Sequence, residues 1–261
     1  MSLDNILWLA GDGATAVVVA LLVGRHVFRS FPIFCSYLVW GLLEDGALFA
    51  AQHRFPANYY DIYVIVLIID SVFQFGVLVE LSWSVLRPIR ASLPRWSLLV
   101  VAAIIALIGA AVWPLVSGPG VSGFSLTGRL LVHVSETFSI LRILFFLVLA
   151  GCSQLLSIGW RDRELQVATG LGFYSLVSLA VWMHHAGQAT GPQYHLLDQL
   201  VSVSYVCSLA YWGVCFATKE AERREFTPQM QTLLLAMAGT ARTTRITMAE
   251  STADKNRHRR D

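Results

Sequence analysis

Charged and histidine side chains interrupt segments of this chain that are otherwise almost wholly apolar. A carboxylate at the centre of a membrane-spanning helix costs roughly 3 kcal/mol on insertion scales, so such residues normally face the interior of a bundle. Carboxylates and imidazoles gathered in one place suit the binding of a cation, the coordination of a metal ion or the relay of protons. The residues that we expect to line a ligand pocket are Asp12, Glu44, Asp70, Gln74, His133, Glu136 and Arg142.

The stretch 62–85 carries three of the polar groups, Asp70, Gln74 and Glu80. It is long enough to cross a bilayer as a helix, for which about 20 residues suffice. Asp70 and Gln74 are four residues apart and share a helix face, so we expect Gln74, or Arg142 of a later helix, to hold Asp70. Glu80 lies nearer the other end, where an arginine such as Arg87 or a loop cation is its expected partner.

A later segment is polar over a wide arc. His133 and Glu136 share one face with Arg129, and an adjoining face carries Ser135, Ser139 and Arg142. His133 and Glu136 have the i, i+3 spacing of di-iron bundles, but only one such pair occurs and no HExxH or HxxxH follows. A metal site is therefore the weaker alternative to an organic ligand, and its candidate residues are His133, Glu136, His184, His195 and Asp198.

The composition identifies the elements that must position these residues. Of the 261 residues, 56% are hydrophobic and only 14% are charged, with a mean hydropathy of +0.60. A soluble domain is about 25% charged, so we interpret the chain as an integral membrane protein. It has no basic stripe with interleaved aromatic residues, which argues against a nucleic-acid partner. The four cysteines lie in or beside apolar segments without a CxxC pair, which is typical of small buried hydrophobes.

Seven apolar segments predict an all-α, polytopic bundle of seven transmembrane helices over residues 1–225. They are 3–23, 31–51, 62–85, 96–116, 126–149, 165–187 and 196–217. Residues 226–261 form a second region, with an amphipathic helix over 227–238 on the inner membrane surface and a disordered tail beyond it. The fourth segment holds no charge, so we expect it at the periphery.

Basic residues are distributed unevenly between the two sets of connections. One set contains Arg25, Arg29, Arg87, Arg90, Arg95, Arg161, Arg163, Lys219, Arg223 and Arg224, and the other contains Arg54 and Arg129. The positive-inside rule then puts the N-terminus outside and the C-terminus inside, in the plasma membrane or a bacterial inner membrane. Measured by helix rise, the polar groups of six segments fall in the outer half or near the middle.

Seven helices with an external N-terminus resemble the rhodopsin-like and receptor-like bundles in helix count and orientation only. A retinal pigment needs a lysine in helix seven for its Schiff base. The two lysines here, Lys219 and Lys255, lie outside the predicted spans, so we expect no retinal and no other cofactor, with a divalent metal as the alternative. A shared fold does not by itself give a function.

These patterns favour a receptor-like or sensory protein whose outward-facing pocket takes a small polar or cationic ligand. Its partners would be the lipid bilayer, that ligand and a cytoplasmic protein. One alternative is a metal-dependent hydrolase acting on a lipid substrate, and another is a proton-coupled carrier with Asp70 and Glu80 as relay carboxylates. Whether the chain is an enzyme stays open on the sequence.

The first prediction is a cytoplasmic C-terminus, because ten basic residues lie beside one set of segment ends and two beside the other. A green fluorescent protein fused after the last residue should fluoresce, and alkaline phosphatase at the same point should be inactive. Fusions placed in the connection near residue 188 should give the reverse pattern. Phosphatase activity at the C-terminus would invert the topology.

Overall fold

The chain was analysed as a computed structural model that describes residues 3–87, 94, 96–116, 126–151, 162–185 and 192–218, and these ranges contain helices and no strands. The seven α-helices are α1 Leu3–Gly24, α2 Pro32–Arg54, α3 Tyr59–Val85, α4 Ser97–Val112, α5 Leu126–Gly151, α6 Arg163–His185 and α7 Pro192–Ala217. The all-helical class is confirmed. The helix predicted over 227–238 lies outside the described residues.

Six of the helices are long and apolar enough to cross a membrane, whereas α4 is a shorter apolar helix of 16 residues. It ends before the predicted segment does, at Val112, and a 3-10 turn Trp113–Val116 follows. Pro114 in that turn lacks an N–H, so the ladder of α-helical hydrogen bonds cannot continue through it, which explains the early end. The six long helices suggest a membrane protein.

Large apolar side chains cover the outside of the bundle. Leu99 of α4 is 70% exposed, and Val72, Leu107, Met183 and Val214 are similarly open. An apolar surface of this extent is unfavourable in water but suits contact with lipid tails. The bundle is therefore apolar on its outer face as well as in its core.

Six helices pack side by side in a closed order, in which α1 contacts α2, α2 contacts α3, α3 contacts α5, α5 contacts α6, α6 contacts α7 and α7 contacts α1. Helix α4 packs against α3 and α5. The chain's polar segments are thus the six that form the ring, and the segment without charge lies beside it.

The apolar core occupies one half of the ring. Its buried members come from the second halves of α1, α3 and α7 and from the first halves of α2 and α6; they include Val18, Leu22, Phe34, Leu38, Val77, Leu81, Val167, Leu171, Leu209, Trp212 and Phe216. Glycines allow close approach here, because a Cβ on Gly170 would overlap the Trp212 indole and one on Gly172 would lie 2.8 Å from Phe146 Cβ. This half of the ring is therefore tightly packed.

Charged side chains at this end bind the termini of neighbouring helices. Glu80 of α3 accepts hydrogen bonds from the backbone N–H groups of Ile33 (to Oε1, 2.8 Å) and Phe34 (to Oε2, 2.8 Å), at the first turn of α2. These N–H groups have no intrahelical acceptor, and the helix dipole favours an anion beside them. No ion pair between Glu80 and Arg87 occurs in the described part of the chain; there a helix N-terminus takes the place of the expected cation.

The C-terminus of α7 is bound in the complementary way by two arginines. Arg163 donates from Nη1 to the carbonyl of Cys215 (2.7 Å) and from Nη2 to that of Thr218 (2.9 Å). Arg25 donates from Nη2 to the carbonyl of Ala217 (2.6 Å). The last carbonyls of a helix lack intrahelical donors and carry partial negative charge, so cations stabilise them. These contacts connect α7 to α6 and to the end of α1.

The second prediction concerns Glu80→Gln. The amide keeps one acceptor oxygen, but its NH2 group would meet an N–H of α2, so one hydrogen bond is lost along with the charge. We expect the free energy of unfolding to fall by about 1–3 kcal/mol, measured by thermal or chemical unfolding in neutral detergent. Asp61→Asn in the exposed first turn of α3 is the matched control and should change little. Equal stability of Glu80→Gln and the wild type would contradict the capping role.

Candidate functional site

A cavity of about 600 Å³ opens between the six helices of the ring at the end opposite the apolar core. Residues at its rim include Asp4 of α1 and His195 of α7, both exposed. Its floor is formed near the middle of the bundle by Gln74 of α3 and Arg142 of α5. The cavity therefore runs from the N-terminal ends of α1 and α7 to half the depth of the bundle.

Two polar pairs occupy the floor. Asp70 Oδ2 accepts a hydrogen bond from Gln74 Nε2, one helical turn along α3. Arg142 Nη2 donates to Ser139 Oγ at 3.3 Å on α5, and its guanidinium lies 5.7 Å from the centre of the Tyr174 ring of α6. The prediction that Gln74 or Arg142 would hold Asp70 is met by Gln74. Arg142 lines the same cavity as Asp70, and no direct ion pair joins the two among the described residues.

Above the floor, α1 and α2 bring three carboxyl groups to the wall of the cavity. Asp12 of α1 lines the cavity together with Glu44 and Asp45 of α2, and the two helices pack against each other. Glu44 and Asp45 are adjacent in sequence, so their side chains diverge by about 100° around the helix, and both reach the cavity because it spans that arc. Tyr205 of α7 adds an aromatic ring to the wall, and its hydroxyl is hydrogen-bonded to Thr15 Oγ1 at 3.2 Å.

The lining is strongly acidic. Six carboxyl groups contribute to it, against one guanidinium and one imidazole, those of Arg142 and His195; the acidic residues are Asp4, Asp12, Glu44, Asp45, Asp70 and Asp198. Electrostatic focusing in a low-dielectric cleft of one sign raises the local concentration of ions of the opposite sign. A lining of this composition suits cations.

Several buried polar atoms of the site have no hydrogen-bond partner among the described residues. They include Glu44 Oε2, Gln74 Oε1 and Arg142 Nε, all on residues that line the cavity. Most buried polar groups in proteins are satisfied, and three of the eight unpartnered atoms among the described residues are on this lining. Acceptors and a donor at one place can receive a ligand with complementary groups.

Five of the seven residues predicted for the ligand pocket line this cavity: Asp12, Glu44, Asp70, Gln74 and Arg142. The other two do not. His133 stacks on Trp113 beyond the end of α4, with ring centres 5.6 Å apart. Glu136 is buried, and the structure does not place it in the lining. Of the two polar faces of α5, the one with Ser135, Ser139 and Arg142 faces the cavity.

The residues of the alternative metal site are dispersed. His195 and Asp198 lie at the cavity rim, His133 lies beside Trp113, and His184 is exposed near the end of α6. Within the described part of the chain, no three His, Cys, Asp or Glu side chains are close enough to hold a metal ion. The structure thus does not bring together the predicted metal ligands.

Sequence reasoning left out a set of lining residues that are neither charged nor histidine. Tyr37, Tyr174 and Tyr205 line the cavity, as does Trp8 near the rim. A signal for one of them was present, since Tyr37 precedes Glu44 by seven residues and so shares its helix face. Asp45 was also left out, because an adjacent residue is expected to point elsewhere.

No protein-family model, curated protein or solved structure matches this chain. The chemistry of the site must therefore carry the functional argument. A deep cavity with carboxylates, tyrosines and one arginine can bind and orient a small cation, since carboxylates supply the charge and aromatic faces supply cation–π contacts.

The third prediction concerns Glu44→Gln, which has nearly the same shape and removes one charge from the acidic wall. Mutual repulsion of carboxylates destabilises the unliganded protein, so the variant should gain about 1 kcal/mol in stability while losing affinity for cations. Thermal unfolding at mildly alkaline pH measures this difference. Glu80→Gln supplies the contrast, because the same chemical change there should lower stability. A loss of stability in Glu44→Gln would mean that this carboxyl has a structural role.

Proposed function

We propose that this chain is a receptor-like or sensory protein of the cell membrane, with seven transmembrane helices, that binds a small organic cation in the acidic cavity. The observation that carries the proposal is the six-to-two excess of carboxyl groups over basic groups in a cavity of about 600 Å³. Pockets of roughly 300–1,000 Å³ suit small organic ligands. Tyr37, Tyr174 and Tyr205 add aromatic surface for an ammonium group and an organic body.

The distribution of basic residues supports an outward-facing cavity. The cavity lies at the end where α1 begins, which the positive-inside rule assigns to the outside. Arg25 and Arg163, which bind the end of α7, lie at the opposite end. On this orientation a ligand enters from outside the cell, and the ends of α6 and α7 face the cytoplasm, where a partner protein would be contacted.

The apolar core fills the ring below the cavity, and this favours a protein that binds its ligand over one that transports it. Beneath Arg142 and Gln74 the ring is filled by apolar residues such as Leu171, Leu209 and Trp212. A proton relay from Asp70 to Glu80 lacks support as well, because both Glu80 oxygens accept N–H groups of α2. A carboxylate held by two backbone donors is a structural group rather than a proton carrier.

A metal-dependent hydrolase is the weaker alternative. Hydrolytic metal sites need three or more ligands that converge on one point. His195 and Asp198 lie at the cavity rim, but His133 is stacked on Trp113 away from them. The organic-cation reading accounts for the tyrosines and the unpartnered atoms of the floor, which a metal site would leave unexplained.

The fourth prediction is that organic cations stabilise the purified protein and size-matched neutral or anionic compounds do not. Tryptamine, 3-methylindole and indole-3-propionate form one such series. A ligand that binds only the folded state raises the unfolding temperature, and a concentration of 100 times Kd adds about 2.7 kcal/mol. Thermal unfolding in neutral detergent, followed by isothermal titration of the compounds that respond, measures both the selectivity and the affinity.

The control is the double variant Glu44→Gln/Asp45→Asn, in which the response to cations should fall at least about tenfold because two charges of the wall are removed. Glu164→Gln removes a carboxylate that accepts a hydrogen bond from Ser84 Oγ at 2.7 Å, outside the cavity lining, and should leave cation binding unchanged. Equal stabilisation by cationic, neutral and anionic members would refute the proposal. Uptake of a labelled ligand into proteoliposomes would favour a carrier over a sensor.

A further inference from the structure

We infer that the ligand of the acidic cavity is a zwitterion, with an ammonium group and a carboxylate as in a free amino acid, and that Arg142 binds the carboxylate. The inference rests on the proposed function, because it adds a carboxylate to the organic cation that is proposed to bind in the cavity. Acidic residues alone would indicate any cation. The additional observation is a buried, incompletely bonded guanidinium at the floor of the same cavity.

Arg142 is only 6% exposed, yet among the described residues it makes one hydrogen bond, from Nη2 to Ser139 Oγ. A guanidinium has five N–H donors, and a buried charge without a hydrogen-bonded counter-ion is expensive. Asp70 and Glu136 lie within electrostatic reach of Arg142, but neither forms an ion pair with it in the described part of the chain. Its Nε has no partner there.

Two neighbours contact the guanidinium. The Tyr174 ring lies 5.7 Å from its central carbon, and Ser139 accepts a hydrogen bond from Nη2. The remaining donors belong to a planar group on a residue that lines the cavity. Such a group matches the two oxygens of a carboxylate, which it can bind through two parallel hydrogen bonds.

Most carboxylates near this arginine are engaged or are placed elsewhere in the cavity; Glu136, whose Oε2 has no partner among the described residues, lies outside the lining. Asp70 accepts the amide of Gln74. Glu44, Asp45 and Asp12 lie on the α1–α2 side, whereas Arg142 comes from α5. The α1–α2 carboxyl groups and the guanidinium thus come from different sides of the ring. A ligand with both charges can contact both groups at once, whereas a simple amine leaves the guanidinium unpaired.

The test uses pairs of compounds that differ only in the carboxylate: phenylalanine and phenethylamine, histidine and histamine, arginine and agmatine, tryptophan and tryptamine. In at least one pair the amino acid should bind the wild-type protein more tightly than the amine, by about tenfold or more. A hydrogen bond between two charged groups, here the guanidinium and the carboxylate, changes affinity by about that factor. Isothermal titration in neutral detergent gives both affinities. In Arg142→Gln the advantage of the amino acid should disappear, and in Arg142→Lys it should be reduced.

Variants of Arg142 that fail to fold would be replaced by Ser139→Ala, which leaves the charge in place and frees the guanidinium. That variant should lower the ratio of amino-acid to amine affinity, because the guanidinium loses the contact from Ser139 Oγ. Amines that bind as tightly as amino acids in every pair, with no change in Arg142→Gln, would overturn the inference but leave the cation site intact. No binding of any amine or amino acid would overturn both proposals.

The same pair of charges occurs in a phosphatidylethanolamine headgroup, so the source of the zwitterion is tested separately. Nanodiscs of phosphatidylglycerol with and without phosphatidylethanolamine are compared by thermal unfolding of the wild type and Arg142→Gln. Stabilisation by phosphatidylethanolamine that requires Arg142, without binding of free amino acids, would assign the zwitterion to the lipid. Binding of an amino acid in phosphatidylglycerol alone would assign it to a soluble compound.

Discussion

The cost of removing a charge from water governs the arrangement of this bundle, and the two halves of the ring resolve it differently. At one end, charged side chains bind helix termini: Glu80 caps α2, and Arg25 and Arg163 bind the end of α7. Helix ends offer partial charges that complement these side chains. At the other end the charges surround a cavity. Polar groups that bind helix ends and polar groups that line the cavity are thereby separated along the bundle axis.

This separation explains why the acidic wall can persist. An unpartnered Glu44 oxygen and an incompletely bonded Arg142 are destabilising in the unliganded protein. In the other half, stability comes from the close packing of Gly170 against Trp212 and from side chains of neighbouring helices that cap α2 and α7. A site that is unfavourable alone and favourable with ligand couples binding to the stability of the ring. Arg25, just after α1, and Arg163 of α6 hold α7 at its far end, so under the proposed sensory function α7 would convey a change at the cavity.

The sequence predicted the helical class, the approximate helices and five residues of the cavity lining because depth along a helix follows directly from residue number. The sequence determines less well which face of a helix points toward the cavity. Helix α5 has two polar faces, and packing against α3 and α6 selected the one with Arg142 while His133 stacked on Trp113. The partner of Glu80 was also beyond sequence reasoning, since backbone N–H groups of a helix that lies 46 residues away in sequence leave no side-chain pattern.

The most direct test of the account measures the charge selectivity of the cavity without a ligand. Ser178→Cys, in a background without the native cysteines, places a thiol in the lining while every charged residue is retained. A cationic methanethiosulfonate added from outside should modify it faster than an anionic one of similar size, by at least about tenfold at low salt, and Glu44→Gln/Asp45→Asn should reduce the ratio. Equal rates for the two reagents, or no modification from outside, would contradict an outward-open acidic cavity.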